Sequence, residues 1–273
     1  MRRGPATMLV NTALVVGAAL TIFPLLWMIS VSFMQPGEAS TYPPPFLPSA
    51  PTLENYIQLF ANHDAARYML NSFIVATLAT TISLLFNTMA GYAFAKLQFK
   101  GREKLFRTLL GALVIPGQVA MIPLFAMVKA MGLVSTYGGV IIPTMASVFG
   151  IFLVRQYALS IPDELLEAAR MDGASEARIF RDVVLPLLRP ILITLAILTF
   201  LATWNDFMWP LIVLTEQKMY TLPVAIAGLN RERVQDNELM MAGAVITVVP
   251  VLVLFLAMQR YYIAGILAGS VKG

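Results

Sequence analysis

The sequence has no cysteine, so it can form neither a disulfide framework nor a thiolate metal site. Its one histidine, His63, sits in a polar stretch, where a solvated side chain accounts for it. Charge is scarce. Only 12% of the 273 residues are Asp, Glu, Lys or Arg, against about a quarter in soluble domains. A net charge of +4 is too small to suggest a nucleic-acid partner. No GxxxxGKS/T segment occurs, so the chain has no P-loop to cradle ATP, and any ATP-driven step needs another subunit. HExxH, GxSxG and close pairs of carboxylates within apolar runs are also missing. Catalytic residues and metal ligands are therefore not expected, and no cofactor is expected on this chain.

What the chain does have is apolar runs, with 58% of its residues hydrophobic. The first, Ala6 to Met34, carries no charge. It is longer than the ~7–15 residues of a signal-peptide core, so a retained first span over 1–34 is expected. Residues 35–67 form a loop stiffened by Pro43, Pro44, Pro45, Pro48 and Pro51, with a short interfacial helix over Leu53 to Phe60. A second charge-free run, Tyr68 to Ala95, is long enough to cross a ~30 Å hydrocarbon core. Its Asn87, Thr88, Gly91 and Ala95 lie near one face and suggest close helix packing. A third run, Thr108 to Val128, contains Pro116, Gly117 and Pro123 and should be broken or kinked. A fourth reaches Val154 and contains Pro143. A fifth, Ile191 to Thr215, is interrupted at Asn205 and Asp206. A sixth, Leu239 to Gln259, contains Pro250 and is followed by a short tail from Arg260.

Six spans place both termini on one side, and the basic residues decide which. One side takes Arg2, Arg3, the five between Lys96 and Arg107, Arg155, Arg170, Arg178, Arg181, Arg189, Arg260 and Lys272. The other takes Arg67, Lys129, Lys218, Arg231 and Arg233. The first side is therefore cytoplasmic, and residues 35–67 become an outer, periplasmic loop. A multi-pass protein of a bacterial inner membrane, with both termini cytoplasmic, is expected.

The longest polar stretch, Ile161 to Pro190, falls on that cytoplasmic side. Its pattern predicts two short helices. Ser160 is expected to cap the first, with Asp163 and Glu164 at the positive end of its dipole. Gly173 should stop it, since glycine enters the left-handed region at no steric cost. Ser175 should cap the second helix, whose Phe180, Val183, Val184, Leu187 and Leu188 form one apolar stripe. Pro186 and Pro190 should limit or kink it.

Within this stretch, Glu167-Ala168-Ala169, three residues, Gly173, nine residues, then Val183-x-Leu185-Pro186 resembles the EAA signature of bacterial ABC importer permeases. Only Val183 departs, standing where the pattern has Ile. Gly91-Tyr-Ala-Phe-Ala, Trp204-Asn205-Asp206 and the C-terminal Ala268-Gly-Ser-Val-Lys-Gly are similar to carbohydrate ABC importer permeases of the maltose-type MalG family. That resemblance implies an all-α membrane protein of the MetI-like permease fold, with six transmembrane helices. The permease core would cover 68–273, and a cytoplasmic EAA coupling helix would lie within the loop 155–190.

The resemblance further implies a permease subunit forming half of the pathway for a di- or oligosaccharide, such as a maltose-type or trehalose-type sugar. Its partners would be a second, related permease, an ATPase dimer that binds the ATP, a periplasmic or lipid-anchored sugar-binding protein, and the lipid bilayer. ATPase coupling would fall to Glu167, Ala168, Ala169, Gly173, Val183, Leu185 and Pro186, with Lys272 and Gly273 of the tail. The loop Glu216 to Glu238 would meet the binding protein through Thr221 to Arg233.

Blander readings stand beside these. The polar stretch could be an ordinary surface helix-turn-helix with Glu167 paired to Arg170. Trp204, Asn205 and Asp206 either line the translocation path or make structural hydrogen bonds between helices. The prolines are packing kinks or hinges. A glycerol-phosphate-type or other polar solute, or a homodimeric secondary transporter, remain the alternatives in function.

Overall fold

The computed structural model describes residues 5–229 and 236–270. All its regular elements there are helical: α1 (Pro5–Ser32), α2 (Glu54–Ala61), α3 (Ala65–Lys96), α4 (Arg102–Gly111), α5 (Gly117–Ala130), α6 (Tyr137–Ile141), α7 (Val148–Ala158), α8 (Asp163–Met171), α9 (Glu176–Ile179), α10 (Leu185–Trp204), α11 (Met208–Val213), α12 (Leu222–Leu229) and α13 (Asn237–Ser270), with short 3₁₀ turns between some of them.

Among the described residues four helices are long and apolar enough to cross a membrane: Thr7–Ser32, Ala65–Lys96, Glu176–Trp204 and Asn237–Met258. Two bent pairs bring the number to as many as six if each is one span. Arg102–Val114 meets Gly117–Ala130 at 107°, and Tyr137–Thr144 meets Val148–Ala158 at 41°. Both breaks fall where proline removes a backbone donor, at Pro116 and near Pro143.

Three expectations change. Pro186 and Pro190 do not end the second helix of the polar stretch. One π-helical turn, Phe180–Val184, precedes α10, and Leu185 N–H donates to Phe180 O across it. The wider turn accommodates the Pro186 ring, which would otherwise press on the carbonyl four residues back. The helix therefore runs on into the span. The sixth run does not give way to a separate tail at Arg260, because α13 continues to Ser270. Ser160 does not cap α8. Its hydroxyl donates to Tyr157 O at 2.7 Å, closing the turn behind it, and Pro162 takes the cap position without a side-chain bond.

The chain forms two compact units. Met1–Met69 with Leu222–Pro250 holds a core of Leu59, Ala65, Leu239 and Ala242. Here Asn55, fully buried, donates to Ser32 O and Met34 O and ties α2 to the end of α1. Glu238, also fully buried, accepts the Ala39 N–H at 2.6 Å. The second unit, Leu70–Thr221 with Val251–Gly273, holds two larger cores. One gathers Val75, Val140, Trp209 and Val213; the other gathers Tyr92, Val154, Leu166, Ile179, Val184 and Leu188. α3 and α7 pack closely there, the Gly91 backbone against the Val154 side chain. A Cβ on Gly91 would lie 2.6 Å from the Val154 side chain, so only glycine fits.

Candidate functional site

The polar hairpin α8–α9 is amphipathic by construction. Leu166 is 2% exposed and packs into the core beside Ile161, Ile179 and Val184. On the opposite face Leu165, Glu167 and Ala168 are exposed, and Met171 is 88% exposed at the tip. Gly173 ends α8 with φ 77°. Ala174 N–H donates to Ala169 O at 3.0 Å and Gly173 N–H to Arg170 O at 2.9 Å. That pair is a Schellman motif, which requires a left-handed residue at the Gly173 position. A Cβ there would meet nothing within 4 Å, so the requirement is conformational and not one of space. Ser175 caps α9 by accepting the Arg178 N–H.

The alanine pair divides its work. Ala169 packs inward on the core, while Ala168 faces out. Val183 packs against the same core, Leu185 is half-buried, and Pro186 is exposed. Of the expected stripe, Val184 and Leu188 are fully buried, whereas Leu187 is 41% exposed. Ile179 takes the inward place, because the π turn shifts the register by one residue.

Glu167 is not paired to Arg170. Arg170 Nε instead donates to Glu176 Oε1 at 2.7 Å, closing the hairpin across the Gly173 turn. That bond raises the Arg170 guanidinium above its usual range, while partial desolvation opposes it. Two residues of α3 hold the hairpin from inside. Lys96, its side chain 6% exposed, donates to Ile161 O at 2.6 Å and to Asp163 Oδ1 at 2.7 Å. The Tyr92 hydroxyl donates to Glu176 Oε2 at 3.2 Å, and its ring lies 5.3 Å from that of Phe180. The hydrogen bond and the charge of Lys96 hold the Asp163 carboxyl below the usual carboxylate range. Lys272 and Gly273 lie outside the described residues, as do Arg231 and Arg233 of the loop expected to meet a binding protein.

A second feature lies along α10. A groove of about 570 Å³ is bordered by Ser83 of α3, Thr144 and Ser147 at the break before α7, and Thr199, Thr203 and Asp206 at the end of α10, with Phe149 as its aromatic member. Of the three residues singled out in the sequence, Asp206 borders this groove. Its Oδ1 also accepts the Trp209 N–H at 3.4 Å, at the start of α11. Asn205 is exposed and donates to Leu201 O at 2.8 Å. Trp204 is buried and stacks on Phe200 with ring centres 5.9 Å apart.

The polar lining was only partly visible in the sequence. Thr199, Thr203 and Asp206 stand at i, i+4 and i+7, a helical face that periodicity alone could have found. Ser83, Thr144 and Ser147 come from other elements, and only the fold brings them in. The break itself is held by Asn87. Fully buried, it accepts the Ser147 N–H at 2.9 Å and donates to Ser83 Oγ at 2.8 Å. Ser147 Oγ in turn caps α7 by accepting the Gly150 N–H at 2.9 Å.

Residues 87–267 match the family described as "binding-protein-dependent transport system inner membrane component". The chain is 41% identical over 261 residues to the arabinooligosaccharides transport system permease protein AraQ of Halalkalibacterium halodurans, covering 94% of this chain and 93% of that one. It is 33% identical over 274 residues to the sn-glycerol-3-phosphate transport system permease protein UgpE of Salmonella typhi, covering 97% of each. It is 31% identical to the lactose transport system permease protein LacG of Rhizobium radiobacter, covering 100% of this chain and 98% of that one. In fold it is similar to a chain in the crystal structure of a bacterial ABC transporter involved in import of the acidic polysaccharide alginate. There the TM-score is 0.84 at 24% identity, over 96% of this chain and 98% of that one.

Proposed function

The chain belongs to the binding-protein-dependent transport system inner membrane component family, and from that premise we propose that it is one permease half of an ATP-driven importer for a di- or oligosaccharide in a bacterial inner membrane. In this reading each bent pair is one span, both termini and the α8–α9 hairpin are cytoplasmic, and what supports that orientation is the concentration of basic residues on one side. A related permease forms the other half. An ATPase dimer binds the ATP, and a sugar-binding protein delivers substrate from outside. The observation that carries this reading is the hairpin itself. It has a rigid, core-packed inner face and a fully exposed outer face bearing Glu167, Ala168 and Met171, so it is built to enter a partner's cleft.

In this reading ATP-driven closure of the ATPase dimer pushes α8, and rocking of the spans exchanges an inward-facing cavity for an outward-facing one. The groove, lined mostly by apolar groups such as Leu195, Leu198 and Ala202 and carrying a few hydroxyls with Phe149 and Asp206, contributes this subunit's wall of the path. Hydroxyls and a carboxylate suit sugar hydroxyl groups, and an aromatic face suits a sugar ring. No Lys or Arg borders the groove among the described residues. That favours a neutral sugar over the phosphate ester named for the UgpE relative, which is the second reading.

The test is purification of the tagged chain from its own host in mild detergent. Recovery of a second permease and a P-loop ATPase, lost on Glu167→Arg or Gly173→Trp, is the expected result. A homodimer without an ATPase would overturn the reading.

A further inference from the structure

We propose that Tyr92 and Lys96, at the end of α3, are positioning residues that make the hairpin move with α3, and not only with the two spans adjoining it in sequence. This rests on the hairpin being the ATPase contact. The hairpin is joined covalently to α7 before it and α10 after it. The joint before α8, residues 159–162, is a turn with Pro162, whereas the joint after α9 is a π turn within one continuous helix, Glu176–Trp204. A push on the exposed face of α8 could be absorbed at the first of them.

Two contacts from α3 bypass both joints. Lys96 and Tyr92 are four residues apart on one face of α3. Lys96 grips the entrance of α8 through Ile161 O and Asp163. Tyr92 grips the entrance of α9 through Glu176. Arg170 joins Glu176 back to the last turn of α8, so the two grips act on one closed hairpin. The α3 side of each grip is sheltered, with Tyr92 4% exposed and the Lys96 side chain 6%, whereas the Asp163 and Glu176 side chains are 73% and 50% exposed. Releasing Lys96 breaks two bonds at once, one to a carbonyl and one to a carboxylate.

α3 is also the helix best placed to carry the movement onward. Its Gly91 packs against the Val154 side chain of α7, and its Asn87 holds the broken turn before α7. It contributes Ser83 to the groove. The route from hairpin to groove along α3 is therefore Lys96, Tyr92, Gly91, Asn87 and Ser83, winding from one side of a single unbroken helix to the other.

The experiment uses the complete transporter in proteoliposomes and reads ATP hydrolysed per sugar imported, together with the amount of ATPase retained on the permease. Lys96→Met and Tyr92→Phe should keep the ATPase bound while the ATP-to-sugar ratio rises several-fold. Losing both grips at once should raise the ratio about tenfold, the size expected for a charge-assisted contact of this kind. Lys96→Arg, which keeps the donors, should stay near the parent.

The absence of native cysteine allows a second arm. Lys96→Cys with Asp163→Cys should be poorly coupled. Bridging the two thiols with a short, reducible bis-thiosulfonate reagent should restore coupling, and reductant should abolish it again. An unchanged ratio in Lys96→Met, or failure of the bridge to restore coupling, would overturn the inference. Loss of the ATPase from Lys96→Met would also overturn it, since Lys96 would then act in docking. Failure of the hairpin reading itself would appear differently, as no ATPase on the parent protein.

Discussion

Asn87 of α3 accepts the Ser147 backbone N–H at 2.9 Å, at the point where the chain breaks before α7. A break inside an apolar span leaves backbone groups without helical partners, and such groups must be satisfied inside the protein. Asn87 does this from a fully buried position while also donating to Ser83.

Replacing Asn87 with Leu should therefore cost more than its modest change in volume. The Ser147 N–H and Ser83 hydroxyl lose a partner, and an unsatisfied buried group costs ~1–3 kcal/mol. Thermal unfolding in detergent should show a lowered midpoint. Asn87→Asp should be milder, since it keeps the acceptor for Ser147 N–H.

Two glycines should fail for opposite reasons. Gly173→Ala has room for its Cβ but must hold φ near 77°, a strain of ~1–2 kcal/mol. It should lower stability slightly and leave the packing of α8 intact. Gly91→Ala has no backbone strain but drives a Cβ to 2.6 Å from Val154. It should separate α3 from α7, with an overpacking cost of ~1–3 kcal/mol. Cysteine cross-linking between the two helices separates the cases, because only Gly91→Ala should slow it.

Acid should open the Lys96–Asp163 contact late. The Asp163 carboxyl titrates below its usual value in the folded protein. Its contribution is therefore fully present above the unfolded value of ~3.9 and is lost as pH falls through the lower, folded one. Asp163→Asn should reduce the unfolding midpoint by the same amount at every pH above ~5. The difference from the parent should vanish at the acid end. A difference that already shrinks between pH 7 and 5 would mean that another group is responsible.

Much of the fold was legible because the bilayer imposes simple rules. Long charge-free runs located α1, α3, α10 and α13, and proline marked both bent helix pairs. The hairpin was legible because Gly173 and Ser175 act through local backbone rules that need no tertiary context. The Lys96 grip was not. In sequence Lys96 is one of five basic residues clustered from Lys96 to Arg107, and its partner Asp163 looked like a helix-dipole residue. Nothing local distinguishes a lysine that will be enclosed from one left in water. The Arg170 partner was hidden for a related reason: the Gly173 turn brings Glu176 closer than the intrahelical neighbour Glu167, the partner that the blander reading offered. The groove is intermediate, with Thr199, Thr203 and Asp206 visible as a helical face and Ser83, Thr144 and Ser147 supplied by folding.

The groove makes its own prediction. Asp206→Asn keeps the shape and hydrogen-bonding capacity of the site but removes its charge. Uptake should weaken mainly through a raised KM, by a few-fold, with assembly unchanged. Thr203→Val, which removes a hydroxyl at nearly constant volume, should do the same. Transport kinetics in proteoliposomes check both. Unaltered kinetics in both variants would remove the groove from the path.

The most direct measurement is sugar uptake into proteoliposomes holding the complete purified complex, with binding protein outside and ATP sealed inside, and with ionophores present to collapse every ion gradient. Uptake that requires ATP and the binding protein and survives the ionophores is the expected result. Gly173→Trp should abolish it. Uptake that proceeds without ATP and stops when the gradients are collapsed would contradict the central claim and identify a gradient-driven transporter instead.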